Sequence, residues 1–289
     1  MKLIVSAPAT SANLGPGFDC LGLALDVWAR VEIEVARDGQ RPAGGVAALV
    51  QQGLRSVFEA EGKKAPLVEV RWDAGIPLAR GLGGSAALRG AGLLAGNALL
   101  EERHDVEELL SLGATLEGHA DNMAPALLGG LQVVVRAEGG LMHVGAKVPP
   151  ALRVVLFVPD FEMPTQESRR RLPAELSRED AVFNASRVGL LLTALANERY
   201  DLLEEATRDR IHQPTRRQIF PGMQPIMAAA KDGGAVAAYL SGGGSTIAAF
   251  TVESEERVAR LMTQAALAHG FSGRSIITRA TENGASIVG

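Results

Sequence analysis

Between a strand-like segment at residues 67–72 and a helix-like one beginning near residue 85, the chain runs Ile76-Pro77-Leu78-Ala79-Arg80-Gly81-Leu82-Gly83-Gly84-Ser85-Ala86-Ala87. Glycines in this loop let the backbone curl until successive N–H groups converge, and the helix that follows adds the positive end of its dipole, so the segment is built to receive an anion. It is not a Walker A loop, because Gly-Lys-Ser/Thr does not occur and no lysine lies between Lys64 and Lys147. It is not a dinucleotide fingerprint either, since the glycine spacing is wrong and no acidic residue stands about 20 positions on. Taken alone, the loop serves equally as a tight strand-to-helix turn or as a phosphate site.

It does not stand alone. The chain has 33 glycines among 289 residues, and they also cluster at 15–22, 129–130 and 242–244, a sign of backbone brought close to a ligand. Pro8-Ala9-Thr10-Ser11-Ala12-Asn13-Leu14-Gly15-Pro16-Gly17-Phe18-Asp19 reads as a loop crowded with polar and turn-forming residues, more than a plain surface turn needs. Leu240-Ser241-Gly242-Gly243-Gly244-Ser245-Thr246 reads as a hairpin tip between two apolar strands.

Periodicity supplies the frame around these loops. Residues 2–6 and 20–35 read as extended segments, Gln40–Gly45 as a turn, 46–60 as a helix and 131–135 as a strand, with Glu138-Gly139-Gly140 turning into the next strand. Asp105 followed by Glu108 is a capping box that opens a helix ended by Gly118. After Pro149-Pro150 the pattern becomes strand 152–158, helices over 178–212 and 223–231, strands 235–240 and 246–251, helix 254–268 and strand 274–279, the β-α-β-β-α-β order of a ferredoxin-like unit. Two domains, 1–149 and 150–289, are therefore expected.

Composition narrows the partners. With 47% hydrophobic residues and a formal net charge of −4, the chain has a core's worth of apolar side chains and lacks the basic excess of a nucleic-acid binder. Its strongest basic run, Arg169-Arg170-Arg171, is followed by Glu175, Glu179 and Asp180 and reads as a solvated loop or helix end. One cysteine, Cys20, allows no intrachain disulfide and reads as a small buried side chain; the apolar stretch before Pro8 is too short for a signal core, and no run of 18 apolar residues could span a membrane. A cytoplasmic protein with no nucleic-acid or membrane partner is the expectation.

Pro8–Asp19, Pro77–Ala87 and Ser241–Thr246 resemble the three motifs of the superfamily of galacto-, homoserine, mevalonate and phosphomevalonate (GHMP) kinases. Asn13-Leu14-Gly15-Pro16-Gly17-Phe18-Asp19, the run Glu117-Gly118-His119-Ala120-Asp121-Asn122-Met123-Ala124-Pro125-Ala126-Leu127-Leu128-Gly129-Gly130, and His212-Gln213-Pro214-Thr215-Arg216 resemble the homoserine kinase branch. Two positions depart from the family pattern: Gly84 stands where a serine is common, and the third motif reads Ser-Gly-Gly-Gly-Ser-Thr in place of Ser-Gly-Ala-Gly-Pro-Thr.

The resemblance implies an α+β protein of the GHMP kinase fold, an N-terminal ribosomal-protein-S5-like domain joined to a C-terminal ferredoxin-like one. It implies ATP cradled by Pro77, Leu78, Ala79, Arg80, Gly81, Leu82, Gly83, Gly84, Ser85, Ala86 and Ala87, with Mg²⁺ on Ser85 and Glu117. L-Homoserine is the implied acceptor, with Asn13 and Asp19 on its ammonium and hydroxyl, Arg187 and Arg216 on its carboxylate, and Asp121 nearby. Asn13, Asp19, Arg187 and Arg216 would be the catalytic set, none of them a clear general base, and His119 would orient its loop. A homodimer is a family-level expectation. A kinase of another small alcohol, such as mevalonate or a sugar, and a non-catalytic nucleotide-binding relative are the competing readings.

Overall fold

The computed structural model describes residues 2–36, 44–163 and 165–289. The first half alternates strands and helices: β1 (Lys2–Asn13), β2 (Gly17–Val35), α1 (Val46–Ala60), β3 (Val68–Trp72), α2 (Gly84–Leu99), α3 (Val106–Glu117), α4 (Met123–Leu128), β4 (Leu131–Ala137) and β5 (Gly140–Ala146). The second half holds β6 (Arg153–Pro159), α5 (Thr165–Arg170), α6 (Arg178–Ala196), a 3₁₀ turn at Tyr200–Leu202, α7 (Leu203–Ala206), α8 (Gln213–Ile219), α9 (Met223–Asp232), β7 (Ala237–Leu240), β8 (Ile247–Thr251), α10 (Glu255–Ala268), β9 (Gly273–Arg279) and β10 (Ser286–Ile287). Most of the turn expected at Gln40–Gly45 lies outside the described residues.

The second sheet runs β7-β8-β6-β9 with every pair antiparallel, which is the ferredoxin-like strand order anticipated from the pattern. The first sheet runs β10-β1-β2-β4-β5, with β3 also pairing β2. The last strand thus returns to the first sheet, Val5 facing Ile287, a pairing that a division of the chain at residue 150 does not anticipate. The capping box forms as expected, with Asp105 accepting from the Glu108 amide and Gly118 closing α3.

The first glycine loop is where the backbone departs most from expectation. Pro8–Asp19 is mostly strand: β1 continues to Asn13 and β2 begins at Gly17, leaving three residues to turn the hairpin. Bulges at Pro8/Ala9 and Ala12/Asn13 absorb the register shifts, and Pro8 sits at a bulge, where a strand tolerates its missing N–H. Thr10, Ser11 and Asn13 look loop-like in composition because they are polar, yet all three are buried. Their partners lie in other loops, far away in sequence.

Three apolar clusters hold the layers together. One packs Leu3, Val5, Val31 and Ile33 of the first sheet against Val50, Leu54, Leu93, Leu110 and Met123 of its helices. A second joins Leu21, Leu23, Leu25 and Leu131 to Leu152, Val154, Leu156, Leu191 and Phe250, so one buried layer bridges the two halves. The third covers the opposite face of the second sheet, Val155 and Phe157 against Phe220, Ile226 and Met262. Burial of this kind contributes roughly 1.5–3 kcal/mol per large apolar side chain, and the bridging layer includes Leu14 of the β1–β2 turn and Tyr239 of β7.

Candidate active site

All three glycine loops meet at one cleft of about 430 Å³. The tip between β7 and β8 clasps the loop before α2: the Ser241 hydroxyl donates to the Gly81 carbonyl at 2.6 Å, and the Thr246 amide to Arg80 O at 3.0 Å. The hairpin clasps both, with the Thr10 amide donating to Leu82 O at 3.1 Å and the Gly242 amide to Ala12 O at 3.0 Å. Side chains complete the lock: the Ser11 and Ser241 hydroxyls are 2.8 Å apart, and Asn13 Nδ2 donates to Gly242 O at 2.9 Å.

These approaches explain two of the glycines. Gly83 has φ +65°, and a Cβ there would lie 1.8 Å from the Thr10 hydroxyl; Gly81 has φ +75°, and its Cβ would lie 2.2 Å from Ser241 O. Only glycine permits both the left-handed backbone and the contact. At Gly83 the chain enters α2 with no side-chain cap and no acidic residue in the first turn, which leaves the leading amides of a 16-residue helix free to face an anion. Leu78, Ala79, Gly81, Leu82, Gly83, Gly84 and Ser85 line the cleft. Pro77, Arg80, Ala86 and Ala87 do not: Ala86 and Ala87 turn into the core, and the Arg80 guanidinium reaches away to Pro159 O and Asp160 O.

At the loop's far end, Ser85 Oγ donates to Glu117 Oε2 at 3.1 Å, and Glu117 Oε1 is paired with Arg89. Arg89 also reaches Gln52 Oε1 at 3.0 Å, tying α2 to α1. A serine hydroxyl and a nearly buried carboxylate beside free helix amides are hard oxygen donors suited to Mg²⁺, which keeps several waters and takes only one or two protein ligands beside phosphates. Among the described residues no group of three His, Cys, Asp or Glu could hold a metal on protein ligands alone.

The other end of the cleft carries an opposed pair of charges. Arg169, on the last turn of α5, grips Asp19 bidentately, each nitrogen–oxygen distance 2.6 Å. Asp19 is held by strained backbone, φ +59°, and its amide donates to Asn13 Oδ1 at 3.1 Å. Arg169 and Arg216 both approach the Phe18 ring, their guanidinium carbons 5.1 and 5.7 Å from its centroid. Arg216 is fully buried, donates to Gly242 O at 2.9 Å, and is lowered to about 10 by its burial and by the charge of Arg169, so it stays cationic at neutral pH. Asp121 accepts from His119 Nδ1 at 2.6 Å, while the neighbouring Asn122 Oδ1 accepts from Thr10 Oγ1 at 2.7 Å. Cys20, half-buried beside this corner, has its thiol pushed up to about 11 by burial and by the charges of Asp121 and Asp19.

Asn13, Asp19, Asp121, Arg216, Ser85 and Glu117 therefore share one cleft. Arg187 does not join them. It lies on α6 with its guanidinium paired to Glu205 and stacked 3.2 Å from the Phe183 ring centroid, which is where the packing of α6 on α7 directs it. The second-half arginine that reaches Asp19 is Arg169, within the run read as solvated. Charge neighbours in sequence could not show this, because its partner is 150 residues away. Arg89 and Phe18 were not among the expected site residues: an arginine at a helical position and an apolar residue at the start of a strand give no sign by type, although Phe18 stands inside the first motif.

The fold and cleft define a GHMP kinase: the model of the GHMP kinase N-terminal domain matches residues 48–130, and that of the GHMP kinase C-terminal domain matches 191–269. Within that class, homoserine kinase from Desulfitobacterium hafniense is 39% identical over 98% of this chain and 99% of its own. The crystal structure of homoserine kinase from Cytophaga hutchinsonii superposes with a TM-score of 0.88 at 29% identity, covering 99% of this chain and 97% of that one. Mevalonate kinase from Methanococcus jannaschii, at 13% identity and a TM-score of 0.70, shares the fold alone. The chain belongs to the homoserine kinase family of the GHMP kinases.

Proposed function

We propose that this protein transfers the γ-phosphoryl group of ATP to the side-chain hydroxyl of L-homoserine, forming O-phospho-L-homoserine and ADP on the route to threonine. The observation that carries this reading is the Asp19–Arg169 pair with Arg216 beside the Phe18 ring, in one cleft with the uncapped start of α2. A zwitterionic amino acid presents one cation and one anion, and this corner offers a carboxylate for its ammonium and two guanidinium groups for its carboxylate. Mevalonate has no ammonium and a neutral sugar has neither group, so both would leave charges of the corner unmatched.

Phosphoryl transfer passes through a loose transition state in most analyses, so alignment and charge neutralisation are what the protein supplies. The amides at Gly83–Ser85 and the dipole of α2 would take the phosphate oxygens of ATP. Ser85 and Glu117 would hold Mg²⁺, which neutralises the β- and γ-phosphate oxygens when bound. Asn13, with Asp121 nearby in the same cleft, would contact the acceptor hydroxyl, and no side chain is assigned as its base. The γ-phosphorus–oxygen bond to the β-phosphate breaks as the hydroxyl oxygen bonds to phosphorus, and the hydroxyl proton leaves to solvent. Among the described residues no helix is long and apolar enough to cross a membrane; a cytoplasmic homodimer completes the reading.

An ADP-release assay with Mg²⁺ and ATP tests it. Turnover with L-homoserine above that without an acceptor is expected. No increase refutes the assignment, and a higher kcat/KM for mevalonate or a sugar selects another small-alcohol kinase. ATP binding with no transfer to any acceptor would mark a non-catalytic relative.

A further inference from the structure

Behind Arg216 lies a buried histidine that the proposed reaction does not use as acid, base or ligand. His212 stands one helical turn before Arg216, at the start of α8, and is 0% exposed. Its Nε2 is 2.7 Å from the Gly15 carbonyl oxygen, and its Nδ1 is 2.7 Å from Arg216 Nη1. A carbonyl only accepts and a guanidinium only donates, so the two contacts together require a proton on Nε2 and a bare Nδ1. One state satisfies both, the neutral Nε2–H tautomer.

The surroundings hold that state. Burial is the largest influence and drives the imidazole down to about 4; the nearby Arg216 lowers it too, and the charges of Asp209 and Asp19 and the bond to the Gly15 carbonyl oppose them without prevailing. Asp209 lies 3.6 Å from Nε2, and its oxygens already accept from the amides of Ile211, His212 and Gln213 and from Asn184 Nδ2. The Phe18 ring stacks on the imidazole with centroids 5.5 Å apart. Arg216 Nη1 therefore has both of its hydrogens placed, one on His212 Nδ1 and one on Gly242 O, and the guanidinium cannot turn without leaving a buried acceptor unpaired.

We propose that His212 is a positioning residue for the amino-acid acceptor: by accepting from Arg216 while donating to Gly15, it fixes the substrate-facing guanidinium relative to the hairpin turn that carries Asp19. Asp19 and Arg216 come from opposite halves of the chain, and His212 bonds both Arg216 and the Gly15 carbonyl of the hairpin turn that leads to Asp19. The inference rests on the reading of Arg216 as a carboxylate contact.

Two variants separate this role from simple filling of space. H212N keeps an acceptor near the Nδ1 position but is too short to reach Gly15; H212Q reaches Gly15 but offers Arg216 no acceptor at that position. H212Q is expected to raise KM for L-homoserine by more than about tenfold, the scale of one hydrogen bond to a charged group, whereas H212N, which loses only the neutral bond to Gly15, raises it less, by about two- to tenfold; a wild-type KM in H212N would remove the Gly15 bond from the role. KM for ATP stays near the wild-type value in both, and both melt at similar temperatures. Equal KM for homoserine in the two variants, or rescue by H212Q and not by H212N, overturns the proposal. Should neither variant fold, ¹⁵N spectra of histidine-labelled wild-type protein decide it. A protonated Nε2 and bare Nδ1 from about pH 5 to 8 are expected, and an imidazolium or the Nδ1–H tautomer in that range overturns it. Wild-type protein that shows no turnover with homoserine refutes the substrate reading, and the spectra still test the tautomer.

Discussion

Arg169 and Arg187 are two second-half arginines to which the structure gives different partners, and replacing each by alanine measures the difference. Arg169 holds both Asp19 oxygens at 2.6 Å, but the two side chains are 39% and 33% exposed, so water screens the pair and its loss costs at most about 1 kcal/mol of stability. In a chain of this size that lowers Tm by no more than about 2–4 °C. If Arg169 holds the acceptor's carboxylate, R169A removes charge-assisted hydrogen bonds of about 1.5–3 kcal/mol, which at about 1.4 kcal/mol per tenfold lowers kcat/KM for L-homoserine by roughly 10- to 150-fold. KM for ATP stays near wild type, because the phosphate loop is untouched. R169K keeps the charge but loses the fork, and falls between the two. Arg187 is 17% exposed and stacked on Phe183, so R187A loses a cation–π contact of about 0.5–2 kcal/mol and lowers Tm, while kcat/KM for homoserine stays within about twofold. Steady-state ADP release and calorimetric melting supply both numbers. A folded R187A that loses tenfold in kcat/KM, or an R169A with unchanged KM for homoserine, refutes the reasoning.

Other changes probe the loop and its flanks. E117Q should raise the Mg²⁺ concentration for half-maximal activity by roughly tenfold or more, read by titrating Mg²⁺ at fixed ATP; an unchanged midpoint takes Glu117 out of the metal site. G83A drives a methyl group to 1.8 Å from the Thr10 hydroxyl at φ +65°, and is expected to cost about 2 kcal/mol or more in urea unfolding and to raise KM for ATP. G84S meets only the movable tip of Leu78, at 2.6 Å, and should cost about 1 kcal/mol or less, so equal damage from the two variants would contradict the geometry. His119 is disfavoured as a cation by burial, but the hydrogen bond to Asp121 and the charges of Asp121 and Glu117 outweigh this and raise it above 6.5. Its ion pair with Asp121 therefore adds stability below 6.5 that is lost as pH rises through the raised value. The Tm advantage of wild type over H119Q should shrink over that rise, and one that is flat or grows contradicts the pairing.

How much of this was legible beforehand depended on whether a residue's reason lay close in sequence. The ferredoxin-like order, the Asp105–Glu108 box and the strand-to-helix loop follow from local periodicity and glycine chemistry, and they stand in the structure. The hairpin of Pro8–Asp19 did not follow, because Thr10, Ser11 and Asn13 are polar for partners at Asn122, Ser241 and Gly242 and look like loop residues until those partners are known. The return of Ser286–Ile287 to β1 was equally hidden, a short pairing made by two residues with no pattern of their own. Arg187 and Arg169 show the same limit at the site. Both are arginines in helical surroundings, and only the packing of α5 against the hairpin turn and of α6 against α7 separates them.

The scarcity of lysine takes on a structural sense from the same contacts. Only five of the 29 basic residues are lysines. Around the cleft, Arg80 joins Leu78 O to Pro159 O and Asp160 O, Arg89 joins Gln52 to Glu117, Arg169 takes both oxygens of Asp19, and Arg216 joins His212 to Gly242. Each guanidinium makes at least two bonds in a fixed plane, which a lysine ammonium on a flexible stem does not reproduce. None of the four is left as a free point charge waiting for phosphate. In the proposed reaction the attraction for phosphate would come from the uncapped amides and dipole of α2, whose geometry is fixed by glycine packing against Thr10 and Ser241. Under the proposed function the labour would divide accordingly: backbone for the nucleotide, arginine forks for the amino acid and for locking the three loops to one another.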